Sequence, residues 1–278
     1  MIRDIVLHLS SRTSGVGAMN YAVSVAGAFE AHLSGIAFAL DAFIPPSTGM
    51  GDVVPPEWIE EDRAEAENAA SAAIAAFEEA ARRNGISAGS RRIDASLGGA
   101  AETFGRMARR FDISIVRQAE PGKTPLEELI IEAALFDSGR PVLVVPYIQK
   151  DPLKLDRVTI CWDGGRNAAR AAADALPFLE RAKTVDVVMV RGEAGKSDEI
   201  PGADIGEHLA RHGLRAEVKQ VVAAGGDVTD TLLSYAADAG TDFLVMGGYG
   251  HSRLREFILG GVTRGILASM TVPVLMSH

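Results

Sequence analysis

One cysteine, Cys161, stands in a chain of 278 residues. That excludes an intrachain disulfide framework and any zinc cluster built on thiolates, and on its apolar stretch Cys161 reads as a small buried hydrophobe. Positive charge is also scarce: 28 Lys and Arg stand against 37 Asp and Glu, a net charge of −9. Broad binding to nucleic acid or to an anionic membrane needs a cationic face, so neither is expected. No apolar run approaches the ~20 residues that span a bilayer. The first dozen residues hold an early acid, Asp4, and lack the apolar core and cleavage site of a secretory leader. A cytoplasmic location is expected by elimination. What is present describes a globular protein with a sizeable core, 47% hydrophobic and 23% charged, over a length that permits two domains.

Apolar runs and helical periods alternate along the chain. Residues 2–9, 33–40, 90–94, 113–117 and 141–145 read as strands, and 18–31, 59–83, 100–111 and 125–136 as helices. An insert at 41–58, with Pro45-Pro46 and Pro55-Pro56, must be loop, and is a candidate lid or partner surface. The pattern then restarts, with strands at 157–162, 184–190, 215–222, 243–246 and 272–276 and helices between them. The halves can be laid over each other. Asp112 falls opposite Asp242, Asp4 opposite Arg157, and Pro141-Val142-Leu143-Val144 opposite Pro273-Val274-Leu275-Met276. The expected fold is therefore α/β, two tandem doubly wound open parallel sheets of Rossmann-like type, at residues 1–148 and 155–278. They are expected to pack as a pseudo-dimer through their last strands, whose edges would otherwise be exposed.

Residues 241–263 concentrate the chemistry. An apolar run, Phe243 to Met246, breaks into Gly247, Gly248 and Gly250; Gly260 and Gly261 follow, and a helical pattern begins through Val262 and Ile266. Strand, glycine loop and helix start is an arrangement that holds phosphate, because glycine lets the backbone approach an anion and the first N–H groups of a helix point towards it. In doubly wound sheets ligands sit at the carboxyl ends of the strands, where the chain changes direction. Both the glycine loop and Asp163 leave strands at that edge. Taken alone, the same glycines also fit two plain turns.

Gly247-x-x-Gly250 followed by Gly260, Trp162-Asp163-Gly164 after a first strand, and the ending Val272-Pro273-Val274-Leu275-Met276 together resemble the universal stress protein family. The likeness is strong over 156–278 and weaker but continuous over 1–148, so the chain resembles a tandem member. The resemblance implies an adenine-nucleotide pocket in the second half, for ATP, ADP or AMP, with Mg²⁺ carried on the phosphates. It gives Asp163 the adenosine end and the Val190 backbone a place beside it. Gly247, Gly250 and Gly260 become the phosphate-loop glycines, with Met246, Gly261, Val262 and Thr263 flanking them. The family places Ser or Thr after the third glycine, where this chain has Gly261; Thr263 is the candidate substitute hydroxyl. The resemblance implies a stress-response sensor or regulator, at most a slow ATPase, capable of forming a homodimer and of meeting a regulatory protein partner. A slow ATP-hydrolysing enzyme and a nucleotide-free interaction module remain the alternatives.

The first half looks degenerate for this task. Ser10 falls on Asp163, Arg117 on Gly247, Glu128 on Gly260, and Glu120 lies near the Gly250 position, so no nucleotide is expected there. Other candidates are weaker. Gly122-Lys123-Thr124 and Gly195-Lys196-Ser197 lack the upstream glycine of a phosphate-wrapping loop. His208 and His212 have metal-binding spacing but no further ligands arranged to complete a set. His251 sits in the glycine loop itself, and Asp227 reads as a helix cap.

Overall fold

The computed structural model describes residues 1–10, 15–41, 55–122, 125–191, 201–223, 227–248 and 261–278. In the first half the strands are β1 (Asp4–Leu9), β2 (His32–Leu40), β3 (Ala88–Ala95), β4 (Ile113–Arg117) and β5 (Val142–Val145). Between them run α1 (Val16–Phe29), α2 (Pro56–Arg83), α3 (Leu97–Ala108) and α4 (Leu126–Asp137). The second half repeats the order with β6 (Arg157–Cys161), α5 (Arg166–Leu179), β7 (Thr184–Arg191), α6 (Pro201–Arg211) and β8 (Ala216–Val222). It closes with α7 (Val228–Ala239), β9 (Phe243–Gly247), α8 (Gly261–Ser269) and β10 (Val274–Ser277).

The central strands are runs of β-branched and other apolar residues buried along their length, as a parallel sheet covered on both faces requires. The outermost strands, β3 and β8, mix charge with apolar residues, which suits an edge. Local punctuation agrees. Asp227 caps α7 by accepting from the N–H groups of Thr229 (2.7 Å) and Asp230 (3.2 Å). Gly240 ends that helix at φ 67°, a left-handed position that suits glycine.

Strand order is β3-β2-β1-β4-β5-β10-β9-β6-β7-β8, so each half has the same doubly wound order and the two join at β5 and β10. That junction is antiparallel, with Leu143 opposite Leu275, whereas the pairings within each half are parallel. The two sheets expected from the sequence thus share an edge and run on as one ten-stranded sheet, and the last strands form the pseudo-dimer contact. One core packs α1, α2, α5 and α6 against one face; the other packs α3, α4, α7 and α8 against the opposite face. The repeated aspartates do the same work in each half. Asp112 Oδ2 accepts from the N–H groups of Arg3 (2.7 Å) and Asp4 (3.0 Å), and Asp242 Oδ2 from that of Arg157 (2.9 Å). Each pins the start of its half's first strand. Among the described residues no helix is long and apolar enough to cross a membrane.

Candidate functional site

In the second half the chain turns one way from β6, through α5 to β7, and the other way from β9, through α8 to β10. The crevice between the carboxyl ends of β6 and β9 is therefore the switch point of the sheet. Asp163 leaves β6 there and is exposed. Its Oδ1 accepts the N–H of Gly165 (2.8 Å), and Gly164 between them takes φ 75°. The turn fixes the carboxylate at the mouth of the crevice, just ahead of α5. Just inside, Cys161 is buried; burial first, and then the Asp163 carboxylate, pushes its thiol up to about 12. It is a neutral packing group, as its place on the strand implied.

Across the crevice, Gly247 is the last residue of β9. A Cβ there would stand 2.6 Å from Ala168 N and from Asn167 C, so the strand end lies directly on the first turn of α5. Asn167, 5% exposed, holds the two together by donating from Nδ2 to the Gly248 carbonyl (2.6 Å). Neither Asn167 nor Gly248 was singled out as a site residue from the sequence. The only available signal was an asparagine in the first turn of the helix after Asp163. Val190, half-buried near the end of β7, and Met246, buried on β9, flank the crevice on neighbouring strands.

Helix α8 begins at Gly261, which is exposed; a Cβ added there meets nothing within 4 Å among the described residues. Val262 is half-buried and Thr263 is 4% exposed, so Thr263 belongs to the inner side of the helix while Gly261 stands at its open start. Gly250, Gly260 and His251 lie outside the described residues, as do residues 42–54 of the insert and both Gly-Lys-Ser/Thr lysines. His208, in the last turn of α6, and His212, just past its end, are exposed neighbours, and among the described residues no group of three or more His, Cys, Asp or Glu could hold a metal ion.

The same crevice in the first half is built differently. Ser10 Oγ donates to Glu127 Oε1 (3.0 Å), and Glu127 is buried. Arg117, at the place of Gly247, is fully buried, with Nη2 3.1 Å from Glu120 Oε2. Glu127 and Glu128 occupy the first turn of α4. Carboxylates at a helix start satisfy the partial positive charge that an incoming anion would need.

An open cavity of about 620 Å³ lies elsewhere, between β8 and α7, lined by Arg157, Lys219, Tyr235 and Asp238 among others. Its cations are already committed. Asp186, 0% exposed, accepts from Arg157 Nη1 (2.7 Å) and the Tyr235 hydroxyl (2.8 Å), and Lys219 Nζ stands 3.1 Å from its other oxygen. Burial alone would raise the Asp186 carboxyl; Arg157, Tyr235 and Lys219 together hold it below the usual carboxylate range. With its positive charge neutralised, this cavity does not compete with the switch-point crevice for a phosphate tail.

Residues 154–278 match the universal stress protein family. A curated universal stress protein of Synechocystis sp. is 28% identical over 151 residues, 52% of this chain and 49% of that protein, so the match spans about half the length of that relative. Over nearly the whole chain the fold is that of a solved universal stress protein from Archaeoglobus fulgidus, with TM-score 0.67, 17% identity and 99% and 97% of the two chains covered. A putative universal stress protein from Pseudomonas aeruginosa superposes with TM-score 0.61 and 15% identity, over 99% of this chain and 93% of that one. The family match thus falls on the second half of the chain, while the fold shared with these solved structures extends over both halves.

Proposed function

We propose that this protein binds an adenine nucleotide, one per chain, in the crevice between β6 and β9, and acts as a sensor or regulator in a stress response. The observation that carries the reading is the pairing, at one switch point, of an exposed, turn-held Asp163 with the start of α8 at the exposed Gly261. Asp163 takes the adenosine end, where a carboxylate can accept from hydroxyl donors. Backbone amides around the α8 start, with Gly250 and Gly260 of the preceding loop, take the phosphates. Mg²⁺ arrives with the phosphates, since the described side chains offer it no cage. We divide the chain at 1–148 and 155–278 and assign the nucleotide to the second unit. The buried Arg117 and the acids of α4 support leaving the first unit empty. A nucleotide held mainly by backbone, with no general base placed beside it among the described residues, suits a sensor in the cytoplasm that meets a regulatory protein, either as a monomer or as a homodimer.

The test begins by denaturing the purified protein and assaying the supernatant for adenine nucleotide, followed by titration of ATP, ADP, AMP and adenosine. Asp163→Ala is expected to weaken all four about tenfold or more, the value of about 1.5–3 kcal/mol for hydrogen bonds to a charged group. No nucleotide released and none bound would overturn the reading, and undiminished binding by the variant would remove Asp163 from it. Phosphate release during the titration would turn the sensor into a slow ATPase.

Gly261→Ser supplies the hydroxyl that the family pattern has at this place. Among the described residues nothing stands within 4 Å of an added Cβ, and Gly261 is not among the left-handed glycines, so a side chain is accommodated. One added hydroxyl–phosphate hydrogen bond is expected to tighten ATP by about tenfold, leaving adenosine unchanged; calorimetry of both ligands decides it.

A further inference from the structure

The pseudo-two-fold axis at Leu143 and Leu275 relates two contacts between the halves that are made by different chemistry. Gln118 follows β4 as Gly248 follows β9, each donating its N–H to the last strand of its own half, at Val145 O (2.7 Å) and Ser277 O (2.9 Å). Leu135 of α4 and Leu267 of α8 are likewise equivalent, each six residues before its half's Pro141 or Pro273. From the first half, Gln118 Nε2 donates across the junction to the Leu267 carbonyl (2.8 Å), while its Oε1 accepts the Tyr147 N–H (3.1 Å); Gln118 is 1% exposed. From the second half, Gly248 meets the side chain of Leu135, whose Cδ2 would stand 2.7 Å from a Cβ at that position.

We infer that the first half, which we leave without nucleotide, is the seat of the second half's phosphate-binding elements, with Gln118 and Leu135 as its positioning residues. One contact falls on Gly248, where the loop that connects β9 to α8 begins, and the other on the carboxyl end of α8, the helix that this loop enters. Leu267 is one of the last four residues of α8, whose carbonyls the helix cannot pair internally, so Gln118 caps the helix from the other half. A nine-residue helix is about 13 Å long, and fixing its carboxyl end fixes where its amino end, Gly261, points. Leu135 and Asn167 hold Gly248, the last described residue before the loop, from opposite halves. A change in the first half that moves α4 or β4 therefore moves both ends of the phosphate receptor and leaves Asp163 in place. This makes the first unit the input through which a partner tunes phosphate affinity.

The inference rests on the nucleotide reading above and is tested by affinities for ATP and adenosine in the full chain. Gln118→Met keeps the volume and removes the amide; Leu135→Ala removes the cover, and Leu135→Met restores most of it. Gln118→Met and Leu135→Ala are expected to weaken ATP by about fivefold or more while adenosine stays within about twofold. Leu135→Met is expected to bind ATP as the wild type does. Should ATP and adenosine weaken in parallel, or neither change while the wild type binds normally, this inference fails alone. A wild type that binds neither ligand overturns it together with the nucleotide reading. If Gln118→Met does not fold, the Leu135 pair decides.

Discussion

Gly247→Ala is expected to destabilise the protein by about 1–3 kcal/mol, towards the upper end, and to weaken nucleotide binding with it. The usual argument for a loop glycine, freedom to adopt positive φ, does not apply, since Gly247 is not among the left-handed glycines. What demands glycine is distance. The atoms a methyl would meet are Ala168 N and Asn167 C at 2.6 Å, backbone of the first turn of α5, and backbone cannot swing aside as a side-chain tip does. To make room, α5 must lift from β9, which stretches the Asn167–Gly248 hydrogen bond and carries the Asp163 turn with it. Stability and binding are therefore expected to fall together. Urea denaturation at unchanged slope measures the first, and titration with ATP the second. Gly98→Ala is the control: that glycine lies exposed in α3 with nothing near its missing Cβ, so alanine there is expected to be neutral or stabilising by about 0.5–1 kcal/mol. Equal stability of Gly247→Ala and wild type would show that the close approach does not constrain the fold.

The same glycine marks where sequence reasoning stops. Alternating apolar and helical periods, and the repetition of Asp112 as Asp242, were enough to give two doubly wound halves and the pairing of the last strands. Those signals are local, or are copies of each other, and need no knowledge of which distant segments touch. That Asp163 and Gly247 flank one crevice was also legible, because strand order at a switch point follows from the winding of the chain. Their supports were not legible. Asn167 and Gly248 are 81 residues apart, Tyr235 and Asp186 are 49 apart, and Gln118 and Leu267 are 149 apart. Each pair exists only because helices cover particular strands in three dimensions. A buried aspartate such as Asp186 looks, in sequence, like any polar residue interrupting a strand of valines. It becomes intelligible only when Arg157, Lys219 and Tyr235 surround it. The departure of the first half from the glycine pattern was visible, but not the use to which the substituted residues are put: Arg117 and Gln118 stand where Gly247 and Gly248 stand, and they are buried and bonded.

A second large effect is expected from His8, through pH. His8 lies on β1 at the place that Cys161 holds on β6, 2% exposed, with its ring 6.0 Å between centroids from both Phe38 and Phe104. Its Nδ1 is buried without a hydrogen-bond partner among the described residues, and burial lowers its pKa from 6.5 to about 4. Both halves thus place an uncharged group at this point in the core, a neutral imidazole in one and an un-ionised thiol in the other. The unfolded chain takes up a proton at His8 near pH 6.5, while the folded chain resists until about 4, so the unfolded state binds more protons between those values. Stability is therefore full above about 6.5 and falls as the pH drops. The gap, at about 1.4 kcal/mol per pH unit, amounts to about 3 kcal/mol by pH 4, below which His8 contributes no further loss. Any other group that takes up a proton as the pH falls does so in wild type and variant alike, so the difference between the two isolates His8. His8→Leu removes the titration and the unpaired nitrogen together. It is expected to match or exceed the wild type at pH 7.5 and to be more stable than it by about 3 kcal/mol near pH 4. Urea titrations at a series of pH values decide the matter: parallel curves for the two proteins would mean that His8 is not the group that senses acid.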